Sequence, residues 1–179
     1  CIETFLSPLI NPPAEAIALD GAKRAWFFIQ RAVTNGADRE ARWEMMMAAL
    51  MGGLTFQKGL GAVHALSHPL GGLTELGLHH GTLNAVLLPA VLRFNADAAA
   101  EKYAAIRRVL DLPGEADLAQ VVADLTARLG LPTSLSAMGV PRAVLAPTAA
   151  QATLDHSAAT NPRPAGELDF LALLEAAYG

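Results

Sequence analysis

An all-α fold, a bundle of several helices, is what this sequence predicts, and three observations carry the prediction. Apolar residues recur at helical spacing in one segment after another, most of them opened by Asn or Asp and closed by Gly or Pro. No run alternates apolar and polar residues for long enough to make a strand, and no repeat or low-complexity tract breaks the pattern. The composition, 53% hydrophobic but only 6% aromatic, builds a core from Ala, Leu, Val and Met, which suits closely packed helices. At 179 residues the chain is expected to form one domain, 1–179, with a sizeable core.

In chain order, residues 1–6 read as the last turns of a helix stopped by Ser7-Pro8; because the chain opens on Cys1 inside that segment, a fragment of a longer protein is expected. Asn11-Pro12 supplies an N-cap and a first-turn proline. From there Ile17, Gly21, Ala25, Ile29 and Ala32 share a face up to Asn35-Gly36, small residues that let another helix come close. Asp38 caps the next helix, whose polar first turn gives way to Met45-Met46-Met47-Ala48-Ala49-Leu50-Met51. Apolar all round, this stretch is expected at the centre of the bundle. Residues 63–68 are expected to be helical and to end at Pro69 with Gly71-Gly72. After Gly81, Leu83, Val86, Leu87 and Val91 mark a buried helix bent at Pro89. Asp97 opens a helix with Ala99, Tyr103, Ile106 and Leu110 inward, and Asp117 opens another with Leu118, Val121, Val122, Leu125 and Leu129 as its stripe. Residues 133–139 read as loop, 141–154 as a helix broken at Pro147, and 156–166 as extended or looping. A last helix follows with Leu168, Leu171 and Leu174 inward.

Charge and hydropathy exclude several classes. A net charge of −4 and a pI near 5.7, with no Lys/Arg cluster, leave no footprint for nucleic acid. Mean hydropathy is +0.32, yet Gly, His, Lys or Pro interrupts every apolar run well before membrane-spanning length, so no membrane partner is expected. With no signal-peptide pattern and Cys1 as the only cysteine, a cytoplasmic protein without internal disulfides is expected.

Four of the five histidines, His64, His68, His79 and His80, fall within residues 59–95. On a helix, His64 and His68 lie one turn apart on one face, and the glycine-bearing connection after Pro69 can return His79 and His80 toward it. Neutral imidazole is a good ligand for zinc or ferrous iron, and such a pair with one residue from another helix supplies three corners of a site. The plainer reading is that each histidine is an ordinary hydrogen-bonded residue. Glu75, the only carboxylate between the two pairs, reads as a solvated loop acid.

These residues resemble the iron-containing (group III) alcohol dehydrogenases over almost the whole chain. The likeness runs through Phe5-Leu6-Ser7-Pro8 with Asn11-Pro12-Pro13-Ala14, then GLGAVHALSHPLG from Gly59. It continues through His80-Gly81, Asn84-Ala85-Val86-Leu87-Leu88-Pro89, Leu92-Arg93-Phe94-Asn95 and the tail Asn161-Pro162-Arg163. The combination of a GxVHxxxHPLG-like run with a later HGxxNAxxLP-like run is specific to that family. The resemblance implies an NAD- or NADP-dependent oxidoreductase that interconverts an alcohol with an aldehyde or ketone. It places this chain as the C-terminal helical domain of a dehydroquinate-synthase-like enzyme, the N-terminal α/β nucleotide domain being absent. A divalent metal, Fe2+ or Zn2+, would be held by an Asp and three His. By position, His64 and His80 would be metal ligands and His68 a nearby non-ligand histidine that moves a proton. The remaining Asp and His belong to a DxxxH helix, which the opening Cys1-Ile2-Glu3-Thr4-Phe5 would follow directly. A small-molecule alcohol or aldehyde, the missing nucleotide domain and a homo-oligomer are the implied partners; alone, the chain is expected to be inactive and prone to self-association.

Three departures from the family pattern bear on the site. The spacer from His68 to His80 is slightly long, and the doubled histidine leaves His79 as an alternative ligand to His80. Lys58 stands before the glycine run, either as a helix-end lysine in solvent or as a group that binds the carboxylate of a hydroxy-acid or semialdehyde substrate. The alternative functions are a metal-independent reductase of the maleylacetate reductase type and a non-enzymatic helical module.

Overall fold

The computed structural model describes residues 1–179, and its regular structure is entirely helical. Nine α-helices follow one another: α1 (Ile2–Leu6), α2 (Pro12–Thr34), α3 (Arg39–Leu54), α4 (Ala62–Gly71), α5 (His80–Asn95), α6 (Ala100–Val109), α7 (Leu118–Arg128), α8 (Leu145–Ala152) and α9 (Glu167–Tyr178). The chain divides into two compact units, Cys1–Gly59 with Ala100–Ala116, and Leu60–Ala99 with Asp117–Gly179.

In the first unit the expected caps are present. Asn11 Oδ1 accepts from Ala14 N at 3.2 Å, with Pro12 and Pro13 in the first turn of α2, and Asp38 Oδ1 accepts from Ala41 N at 3.0 Å. These contacts satisfy N–H groups that a helix start otherwise leaves unpaired. The buried residues of α2 and α3 are mostly small, Ala14, Ala18, Gly21 and Ala22 on one helix and Ala41, Ala48 and Gly52 on the other. A Cβ at Gly21 would lie 3.0 Å from Met51 Cβ, so the close approach expected of this face occurs there. The methionine-rich stretch is not the centre of a bundle. Met46 is 70% exposed and Leu50 54%, because α3 buries only its narrow small-residue edge against α2. Uniform hydrophobicity predicts neighbours on every side, but only one side of α3 is covered in this way.

Lys58 corrects both expectations made for it. It is wholly buried, and its Nζ donates to the carbonyls of Thr4 (3.1 Å), Phe5 (3.3 Å) and Ser7 (2.6 Å), close to Glu15 Oε1 at 3.3 Å. These carbonyls end α1, where no intrahelical donor remains and the helix dipole is negative. Lys102 of α6 reaches the Phe5 and Ser7 carbonyls and the same Glu15 oxygen. Held inside the protein, Lys58 is neither in solvent nor available to a substrate carboxylate. Burial first, and then the neighbouring Lys102 ammonium, lower its pKa to about 8. From about pH 8 up to its ordinary value, the unfolded chain keeps this proton and the folded one sheds it, so the group's contribution to stability rises with pH. Thermal melts should therefore show wild type gaining on Lys58→Met across that interval, and Lys58→Ala should cost about 3 kcal/mol at pH 7. A constant difference between wild type and Lys58→Met at every pH would contradict this.

The second unit holds one continuous apolar core. Leu66 and Leu70 of α4, Leu83, Leu87 and Val91 of α5, Leu145 and Ala149 of α8 and Phe170 and Leu174 of α9 are its most buried members. The predicted α5 stripe is therefore inward as expected. Asp117 caps α7 through Ala119 N and Gln120 N. Three details differ from the sequence reading. Helix α4 continues through Pro69 to Gly71, the proline forfeiting one N–H bond to the Ala65 carbonyl without ending the helix. Pro147 falls in the first turn of α8, where its missing N–H is no loss, so residues 145–152 form a regular helix. In α9 the buried set is Phe170, Leu173, Leu174 and Ala177, while Leu168 in the first turn is 83% exposed. No helix is long and apolar enough to cross a membrane.

Candidate metal centre

The second unit brings four imidazoles together. Gly59, at φ +89°, takes a left-handed turn that glycine adopts without strain, and the chain enters α4 at Ala62. His64 and His68, one turn apart on that helix, have ring centroids 5.6 Å apart in an edge-on arrangement. His80, the first residue of α5, comes within 5.5 Å of His64 and stacks on His68 at 5.9 Å with 12° between the ring planes. His68 also meets His156 at 6.0 Å and 21°. Two imidazoles on one tetrahedral ion, with metal–nitrogen bonds of about 2.1 Å, have centroids roughly 5.3 Å apart. The His64–His80 spacing fits such an ion.

His79 is employed differently. It is the N-cap of α5, its Nδ1 accepting from Thr82 N at 3.3 Å and lying 3.0 Å from Thr82 Oγ1. Glu75 lies in an exposed 3-10 turn, Thr74–Leu76, as a solvated acid does.

Electrostatics favour a neutral ring at His80. Desolvation first, and then the imidazoles of His64, His68 and His79, hold His80 below the ordinary histidine value, although much of the residue is exposed. A neutral ring keeps a lone pair for a cation. Asn84, one turn on, donates from Nδ2 to His80 Nε2 at 3.1 Å, and its Oδ1 is buried without a partner. That amide is the group a cation at Nε2 has to displace. No three or more His, Cys, Asp or Glu side chains of the chain are arranged to hold an ion among themselves, so what it offers is a pair of imidazoles, part of a ligand set.

Two features of the cluster went unseen in the sequence. Asp155 Oδ2 lies 2.8 Å from His68 Nδ1, 87 positions away in the chain, and Asp155 Oδ1 accepts from Ser157 N at 2.8 Å as the cap of the 3-10 helix His156–Thr160. Burial tends to raise the Asp155 pKa, but the Ser157 N–H and His68 outweigh it and the carboxyl stays below its usual value. The second is a buried amide pair. Asn95 and Asn161 exchange two hydrogen bonds, 2.9 and 2.8 Å, while Asn161 Oδ1 also accepts from Ala62 N at 3.1 Å and its Nδ2 donates to the Arg163 carbonyl at 2.6 Å. Thr160 Oγ1 adds a bond to the Leu60 carbonyl at 2.7 Å, and the Arg163 guanidinium lies 4.0 Å from the Phe94 ring centroid. The start of α4, the end of α5 and the segment carrying Asp155 and His156 are thereby tied at one point, which fixes the helices that bear the imidazoles.

The geometry defines an all-helical domain with an imidazole cluster carried by two adjacent helices and a neighbouring 3-10 turn. A family model described as the Fe-containing alcohol dehydrogenase family, C-terminal, matches residues 1–178, and the chain belongs to that family. A 4-hydroxybutyrate dehydrogenase of Cupriavidus necator is 55% identical over 98% of this chain and 48% of its own length. A 1,3-propanediol dehydrogenase of Citrobacter freundii is 34% identical over 99% of this chain and 48% of its own. Among solved structures, a 1,3-propanediol oxidoreductase superimposes with a TM-score of 0.92 at 32% identity, over 99% of this chain and 48% of that one. The chain thus spans about half the length of the relatives it matches.

Proposed function

We propose that this chain is the helical, metal- and substrate-binding half of an NAD- or NADP-linked alcohol dehydrogenase whose substrate is a 4-hydroxy acid and its semialdehyde. The observation that carries the reading is the 5.5 Å approach of the His64 and His80 rings on two helices. The substrate class rests on the 55% identity to the 4-hydroxybutyrate dehydrogenase. His64 and His80 would hold the ion, Fe2+ or Zn2+, with further ligands from outside residues 1–179. When bound, the ion supplies Lewis acidity toward an alcohol oxygen and the nicotinamide supplies a hydride acceptor.

The chain's own residues do the rest. His68, one turn from His64, accepts the alcohol proton at a ring nitrogen and passes it to solvent, a general acid–base role. Leu66, Leu70, Leu83 and Leu87, all buried on the two helices that carry these histidines, keep water out of the core beneath them. Exposed Trp43, Met46 and Leu50 of the first unit support a further protein surface against it, that of a nucleotide-binding domain or a second copy in a homo-oligomer. A cytoplasmic location is part of the same proposal, supported by the single cysteine. The paired imidazoles of His64 and His80 at this spacing favour a metal-dependent enzyme over a metal-independent reductase or a non-enzymatic module.

The test is an assay of the full-length protein with 4-hydroxybutyrate, 1-butanol and 1,3-propanediol, each with NAD and NADP, before and after metal removal. The expected result is a kcat/KM for 4-hydroxybutyrate about tenfold or more above that for 1-butanol, lost on chelation and restored by Fe2+ or Zn2+. Turnover indifferent to chelation would overturn the metal assignment. Equal turnover of the acid and the neutral alcohol would overturn the substrate class.

A further inference from the structure

Asp155 is the one carboxylate within bonding distance of the imidazole stack, and its environment leaves it little choice of role. Its side chain is 15% exposed, and one oxygen is fixed by the Ser157 N–H at 2.8 Å. The other lies 2.8 Å from His68 Nδ1, too close for two acceptors to face each other without a proton between them. An ionised carboxylate has no proton to give, so the hydrogen sits on Nδ1. The rings of His80 and His156 lie near-parallel to that of His68, at 12° and 21°, and the bond to Asp155 is what sets which edge of the ring faces the carboxylate.

We infer that Asp155 is a positioning residue that keeps the proton of neutral His68 on Nδ1 and so makes Nε2 the atom that exchanges a proton with the substrate. The inference rests on the reading of His68 as the proton-moving residue and says how that reading is enforced. In the oxidation direction Nε2 would take the alcohol O–H proton, the nicotinamide when bound supplying the hydride acceptor, and Nε2 would then return its proton to water. In the reverse direction Nε2–H gives its proton to the new alkoxide. Asp155 touches neither substrate nor cofactor and acts by fixing tautomer and ring orientation, in the way an acceptor behind a histidine generally does.

The experiment uses full-length protein with histidine labelled at both ring nitrogens, and His68 assigned by comparison with His68→Gln. Wild type should show a protonated Nδ1 and an unprotonated Nε2 for neutral His68; a protonated Nε2 with a bare Nδ1 would overturn the inference without any activity measurement. In Asp155→Asn, whose amide can donate to Nδ1, the tautomer should invert and kcat should fall by about 10- to 100-fold with KM and metal content unchanged. Asp155→Glu should restore the wild-type tautomer and part of kcat. A kcat for Asp155→Asn within twofold of wild type, with His68→Ala slow, would also overturn it. If His68→Ala is itself as fast as wild type, the relay reading fails, while the spectrum still decides what Asp155 does.

Discussion

In the full-length protein, His64→Ala is expected to lose its metal and with it kcat/KM by a factor of about 10^3 or more, since several kcal/mol of Lewis-acid stabilisation go with the ion. His68→Ala should keep the ion and slow kcat by roughly 10^2-fold, the range for a general acid–base group. The difference follows from position. The His64 ring is about as close to His68 (5.6 Å) as to His80 (5.5 Å), but His68 Nδ1 is engaged by Asp155 at 2.8 Å and its ring stacks with those of His80 and His156. Metal analysis beside steady-state rates checks both; equal metal loss in the two variants would show that the roles are wrongly divided.

Asn161→Ala is expected to destabilise the protein by about 4 kcal/mol, because the buried Ala62 N–H and the Asn95 amide would be left without partners at once. Urea unfolding of the single and double variants tests this. Since the two amides satisfy each other, Asn95→Ala combined with Asn161→Ala should cost little more than the worse single change. Fully additive losses would mean that the pair is not one unit. A secondary effect should accompany Asn161→Ala, weaker metal retention, as the bond to Ala62 N sets the start of the helix that carries His64.

Much of this was legible from local pattern. Asn11, Asp38 and Asp117 each open a helix because a short side-chain acceptor close to the first N–H groups is a local device that one sequence displays. The α5 stripe was equally visible, since helical periodicity reports the buried face of a helix enclosed by others. It misled for α3, where hydrophobicity says that contact is wanted but not with what. The candidate site divides in the same way. His64 and His68 could be placed on one face by spacing alone, while between His79 and His80 only the family likeness beside Gly81 favoured His80 and left His79 as the alternative. Asp155, 87 residues from its partner, carries no mark in the chain beyond being an acid before a short polar turn. Lys58 shows the limit most plainly: a lysine between a helix and a glycine run is read as solvent-exposed, and only the folded position of the α1 carbonyls makes its burial intelligible.

The most direct test is the metal's own position, by anomalous diffraction from crystals of full-length protein loaded with Fe2+ or Zn2+. The expected result is a single ion about 2.0–2.2 Å from a ring nitrogen of both His64 and His80, with His68 outside the coordination sphere and still bonded to Asp155. An ion bound by His79 in place of His80, or a loaded protein whose His64 and His80 rings face different ions, would contradict the account.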